Sequence, residues 1–118
     1  MSPAQELRER TKKFAIRIIH LFQALPRSTE AQILGKQVLR CGTSVAANYR
    51  AACRARSKAE FISRMGSVAE EADESVLWLE LLEETNILSS ERLQDIMKEA
   101  SELAAIFSSS LKTAKQNR

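Results

Sequence analysis

Apolar residues recur along this chain at intervals of three and four, the period of a helix buried on one side. In the first stretch Leu7, Thr11, Phe14, Ile18, Leu21 and Leu25 follow at spacings of 4, 3, 4, 3 and 4. The pattern predicts a helix from about residue 3 to 24 with one polar entry in its seam. Ser2 is placed to cap it, Pro3 suits the first helical position, and Gln5 completes a capping box. Pro26 disfavours helical geometry at Leu25 and ends the segment.

A second helix is expected over about 29–56, opened by Thr29 with Gln32 as a capping box. Its seam is Leu34, Val38, Cys41, Val45, Asn48, Ala52 and Ala55. A neighbouring row holds Gly35, Leu39, Gly42, Ala46, Tyr49 and Cys53. Glycine inside a helix costs roughly 1 kcal/mol relative to alanine. Close approach of another helix at Gly35 and Gly42 would offset that cost. A third helix is expected over about 58–85, capped by Ser57 with Glu60 in the third position. Phe61, Met65, Val68, Ala72, Ser75, Leu79 and Leu82 form its seam. Its stretch Val76 to Leu79, with Leu81 and Leu82, is apolar nearly all round and asks for a second partner surface, such as another copy of the chain. Asn86 can close this helix, and Ser89 or Ser90 can open a fourth over about 90–114. The fourth seam runs from Leu93 and Ile96 through Ala100, Leu103 and Phe107 to Leu111.

Connections of a few residues make neighbouring helices antiparallel. The expectation is an all-α, up-down-up-down four-helix bundle, a single domain over residues 1–118. Composition supports this class. Only 3 Gly and 2 Pro in 118 residues leave little room for the turns of a sandwich or barrel. No run of 18 apolar residues offers a membrane span. The opening MSPAQELRER lacks the apolar stretch of a secretory signal. Cys41 and Cys53, twelve residues apart on one expected helix, would lie about 18 Å apart along its axis and cannot pair. They read as small, reduced core residues, which fits a cytoplasmic protein.

Net charge is only +3, but it is unevenly laid out. Residues 1–58 hold 12 Lys/Arg against 3 Asp/Glu, and residues 59–102 hold 3 against 12. The first two helices are therefore basic, while the third and the start of the fourth are acidic. On the second helix Lys36, Arg40, Arg50 and Arg54 share one row, which Arg56 and Lys58 extend. The first helix adds Arg8, Arg10, Lys12, Lys13 and Arg17. Such a field suits a phosphate backbone, with affinity falling as salt rises. The same row could instead be a solvated face, or pair with carboxylates of the acidic helix in its own or a neighbouring chain, each exposed pair contributing roughly 0–1 kcal/mol.

Catalytic chemistry finds little here. His20 is the only histidine, so neither a triad nor a multi-histidine metal site fits in one subunit. No phosphate loop, dinucleotide fingerprint or H-E-x-x-H is present, and no cofactor is implied. The acidic run Glu70, Glu71, Asp73 and Glu74 reads as a solvated helix face before it reads as a cation site, and no metal is expected. Asn48 interrupts an apolar seam, with Ser44 one turn before it. Gln37, Ser44, Asn48 and Ser75 are expected to form a polar network that sets helix register. The alternative for Arg40, Ser44 and Asn48 is a ligand or RNA contact.

The segment LGKQVLRCGTSVAANYRAACRARSKAEFISRM, followed by SVAEEADESVLWLELLEETNIL, resembles the four-helix bundle proteins named for intervening sequences in 23S ribosomal RNA genes. Gln37, Arg40, Ser44, Asn48, Arg56, Ser57, Phe61, Glu74 and Leu79 carry the pattern, and KKFAIRIIHLFQALP fits as well. The likeness covers roughly residues 10–110. It departs at Ala51 and Ala52, where many members carry glutamate and glycine, and at Glu70 and Glu71, where many carry Gly-Ser. The resemblance implies bundles assembling as a ring, commonly a pentamer, with no settled activity. It extends to the accessory protein of diversity-generating retroelements, which implies nucleic acid and a reverse transcriptase, or another protein client, as partners. The reading is thus a non-enzymatic, homo-oligomeric nucleic-acid-binding accessory protein; the alternative is a protein-interaction scaffold.

Overall fold

Every helix in this chain opens on a serine whose hydroxyl accepts a hydrogen bond from a free backbone N–H of the first turn. In the computed structural model, which describes residues 1–117, these caps open α1 (Pro3–Gln23), α2 (Thr29–Cys53), α3 (Lys58–Glu84) and α4 (Ser90–Gln116), with no strand among the described residues. Ser2 and Gln5 form the full reciprocal capping box. The cap of α2 falls one residue earlier than the sequence reading placed it. Ser28 accepts from Ala31 N–H, and Gln32 Nε2 donates back to the Pro26 carbonyl. At α3, Ser57 accepts from Glu60 N–H, while the Glu60 carboxylate reaches past it to the backbone N–H of Arg56 at 2.9 Å.

The boundary between α2 and α3 lies earlier than expected, with α2 ending at Cys53 rather than near residue 56. Ser57 must be extended to cap α3 (φ −152, ψ 163), so the chain has to leave the helix before it. Arg54 and Ala55 tighten the last turn onto the carbonyls of Ala51 and Ala52. The end of α3 is closed by Asn86 at φ 59, the left-handed conformation that asparagine tolerates. Its N–H donates to Glu83 O, and Ile87 N–H donates to Leu82 O, which completes a Schellman motif.

Phe14, Ile18, Val38, Val45, Met65, Val68, Leu79, Leu82, Leu93, Leu103 and Phe107 are 0–2% exposed and make the core. Fully burying each such side chain contributes roughly 1.5–3 kcal/mol. Consecutive helices pack against each other, and α1 closes on α4 along a thinner seam. Tyr49 of α2 and Phe107 of α4 meet with ring centroids 5.3 Å apart. The two α2 glycines sit against α1. A Cβ at Gly42 would lie 2.8 Å from Ile18 Cγ1, and one at Gly35 would strike Leu25 and lie 3.0 Å from Phe22 Cδ1. Ile18 thus meets Gly42, while the later Phe22 and Leu25 meet the earlier Gly35.

The apolar turn of α3 divides. Leu79 and Leu82 enter the core, whereas Leu77 is 47% exposed and the indole N–H of Trp78 is buried without an acceptor among the described residues. Cys53 is exposed, not a core residue, because it opens onto a depression beside Arg8 and Glu9 of α1; Cys41 is buried, and both thiols are free. No helix is long and apolar enough to cross a membrane among the described residues.

Candidate nucleic-acid interface

At 100° per residue the α2 row of cations is not straight. Arg54 lies about 40° and Arg50 about 80° round the helix from Arg40. That drift carries them to different neighbours. Arg40 turns to α3, where Nη1 donates to Glu71 Oε2 at 3.2 Å and Nη2 to Glu74 Oε1 at 3.3 Å. Gln37 Oε1 and Cys41 Sγ accept from the same guanidinium at 3.3 and 3.1 Å. Arg40, read from its row as a phosphate ligand, thus has its charge engaged by carboxylates of its own chain.

Arg50 and Arg54 turn to α1. With Arg8, Glu9 and Cys53 they line one depression of about 370 Å³. With Lys12, Thr43, Ala46 and Ala47 they line another of about 480 Å³. The shared arginines join these into one furrow between α1 and α2. Its floor is low because Ala46 and Ala47 are small and Thr43 Oγ1 donates back to the Leu39 carbonyl at 2.7 Å. Arg8, Lys12, Arg50 and Arg54 make no ion pair among the described residues. Glu9 is the one carboxylate lining the furrow. Near its end, burial first and then the neighbouring Cys53 push the Tyr49 phenol up to about 12, so it stays neutral.

The remaining expected cations do not join this furrow. Lys13 is exposed on α1, and Lys36 is exposed on α2. Arg56 and Lys58 are exposed at the α2–α3 connection. Arg17 lies toward α4 and lines a different depression with His20 and Arg92. Arg10 also faces α4, where Nε and Nη2 hold both oxygens of Glu99 at 2.9 and 2.8 Å and Nη2 reaches Glu102 at 2.8 Å. This hydrogen-bonded guanidinium holds the Glu99 carboxyl below its ordinary range.

The four residues expected to form a polar network are not connected. Ser75 is fully buried but donates to the Glu71 carbonyl one turn back at 2.9 Å, which satisfies it locally. Gln37 serves Arg40. Ser44 and Asn48 are half-buried and make no side-chain hydrogen bond among the described residues. Half-exposure lets water solvate them, so no buried network is required. Of the acidic run, Glu70 and Asp73 are exposed, but Glu71 and Glu74 turn inward to Arg40. Cys41 and these two glutamates place one potential ligand atom each within 4.8 Å of one another. The Arg40 guanidinium already supplies the positive charge there. Burial, and then Glu71, push the Cys41 thiol up to about 12, which disfavours the thiolate a metal would need.

Sequence reasoning placed Arg8 among the α1 cations without distinguishing it from Lys13, and it missed Arg92 altogether. The signal for Arg8 was the α1–α2 contact row, set by the glycines. None existed for Arg92, whose partners come from the other end of the chain.

The fold and furrow define a class: a four-helix protein with a cationic channel along its first two helices. Residues 4–109 match the family described as 23S rRNA-intervening sequence protein, and the chain belongs to that family. A crystal structure of a protein with unknown function from the S23 ribosomal protein family of Bacteroides thetaiotaomicron is similar in fold. It shares 32% sequence identity at a TM-score of 0.85, over 94% of this chain and 99% of that one. No curated protein matches.

Proposed function

We propose that this protein is a non-enzymatic accessory protein that binds the phosphate backbone of RNA or DNA along the α1–α2 furrow. The observation that carries the reading is the convergence of Arg8, Lys12, Arg50 and Arg54, without ion-pair partners, on one small-residue channel. Guanidinium groups suit phosphate because their planar donors match its oxygens. The furrow offers no aromatic platform among its lining residues, so the binding is to backbone and is insensitive to base sequence. The working unit is a homo-oligomeric ring of antiparallel bundles, commonly a pentamer in the family resembled, in a reducing cytoplasm. The exposed Leu77 and the short connections support that arrangement.

The test is a titration of mixed-sequence RNA and DNA at rising salt. Four phosphate contacts per subunit give a slope of about −3 to −4 in log affinity against log salt. Reversing charge at Arg50 and Arg54 removes most of the affinity. Absence of binding at low salt, or indifference to that reversal, overturns the proposal.

One observation favours a second reading. Glu70, Asp73 and Glu80 stand exposed on α3 and make no ion pair among the described residues. They are complementary to the furrow of another copy, as a scaffold would require. In that case charge reversal at Arg50 and Arg54 dissolves the oligomer, measured by sedimentation, instead of leaving it intact.

A further inference from the structure

The α1–α4 seam carries a second depression, separate from the furrow, of about 290 Å³. Leu21, Leu88 and Ile96 form its apolar floor with Ala24 at the edge, and Arg17, His20 and Arg92 stand exposed around it. Two features make it chemically unlike the furrow. Its floor is hydrophobic, and no carboxylate lines it beside the nitrogen donors of its rim, whereas Glu9 lines the furrow. Neither Arg17 nor Arg92 makes an ion pair among the described residues. Glu99, whose carboxyl feels Arg17, is already held on both oxygens by Arg10.

The helix ends do not decide the charge preference. The depression lies between the last turn of α1, where carbonyls disfavour an anion, and the first turns of α4, where N–H groups favour one. These contributions oppose each other, so the two guanidinium groups set the sign. The volume sits at the small end of ligand pockets, room for one ring and its charged substituent but not for a long chain.

We infer that this depression is a binding site for a small organic anion: a phosphate or carboxylate head borne on a single apolar ring. The ring covers Leu21, Leu88 and Ile96, while Arg17 and Arg92 grip the head and His20 donates a further hydrogen bond. Both features are needed, since guanidinium groups alone would hold inorganic phosphate and the floor alone would hold any neutral ring. The site does not depend on the nucleic-acid reading, because none of its lining residues belongs to the furrow.

The experiment is a titration of the full ¹⁵N-labelled chain followed by amide chemical shifts. The probes are phenyl phosphate, benzoate, phenol and inorganic phosphate. Phenyl phosphate or benzoate is expected to shift the amides of Leu21, Ala24, Leu88 and Ile96 saturably. Phenol and inorganic phosphate each bind at least about tenfold more weakly. The tighter of the two aromatic anions identifies the head group. Arg17→Ala with Arg92→Ala reduces the binding of the aromatic anions to the level of phenol. Ala24→Phe, which crowds the edge without removing a charge, weakens it too, and Arg50→Ala leaves it unchanged. The inference is overturned if phenol binds equally well, if inorganic phosphate does, if the shifts map to the α1–α2 furrow, or if these four amides stay unmoved because another copy of the chain covers them.

Discussion

The two flanks of α2 began with the same residue types and ended with opposite roles. On the flank toward α3, Arg40 is 50% exposed yet meets Glu71 and Glu74, of which Glu71 is only 19% exposed. On the flank toward α1, Arg50 and Arg54 meet further cations, Arg8 and Lys12, and a single carboxylate, Glu9. The difference is not in the arginines but in what the neighbouring helix presents. An acidic neighbour converts a guanidinium into a seam contact, and a basic one leaves it free while concentrating positive potential. Free charge close to other free charge is what attracts a polyanion.

The largest effect that breaks or upholds this contrast is on nucleic-acid affinity. Arg50→Glu with Arg54→Glu is expected to weaken RNA binding on the order of a hundredfold at low ionic strength, with a shallower salt slope. Arg40→Gln changes it by less than about threefold, read from the same fluorescence-anisotropy titration. Equal losses from both flanks would mean that the α3 carboxylates do not withhold Arg40.

Next comes the packing that builds the furrow. Gly42→Ala gains helix propensity, but its Cβ lies 2.8 Å from the buried, branched Ile18, which has nowhere to move. The net cost is expected to be about 1–2 kcal/mol in chemical denaturation. Gly66→Ala on α3, where nothing lies within 4 Å of the new atom, is expected to gain up to about 1 kcal/mol instead. A stabilised Gly42→Ala would show that the α1–α2 approach is looser than described.

Releasing Arg40 sharpens the contrast from the other side. Glu71→Gln with Glu74→Gln leaves its guanidinium without carboxylates, and RNA affinity is expected to rise about threefold. The smallest effect is at the α1–α4 seam, where Glu99→Gln removes the bidentate partner of Arg10, for a loss of no more than about 1 kcal/mol at neutral pH. Glu99 has a depressed folded-state pKa, so its contribution is complete above the ordinary glutamate value of about 4.3. It is lost as pH falls through the lower, folded value. Melting curves of the two proteins are therefore expected to differ at neutral pH and to converge in acid.

Local signals were legible without the fold. Serine caps, the asparagine that closes α3 and the 3-4 spacing of apolar residues act within a few residues of one another, and each helix formed close to where they place it. The glycines of α2 announced a close approach, and Ile18, Phe22 and Leu25 make it. Where the reading failed, the reason was a longer-range neighbour. Cys53 was grouped with buried residues by its row, but it opens onto the furrow beside Arg8 and Glu9. Asn48 was assigned a network, but half-exposure removes the need for one. Ser75 is buried as expected, yet its own helix satisfies it.

Four helices, their approximate bounds, most of the faces they bury and the separation of basic from acidic halves could be read from the order of residues, because all of these depend on residues a turn or two apart or on simple sums of charge. Which arginines are free, and the convergence of Arg17, His20 and Arg92 on one depression, came instead from how the helices pack. Those outcomes depend on how far each helix is rotated about its axis against its neighbour. A rotation of less than a quarter turn separates a neutralised guanidinium from an available one, and that angle is set by the whole core at once.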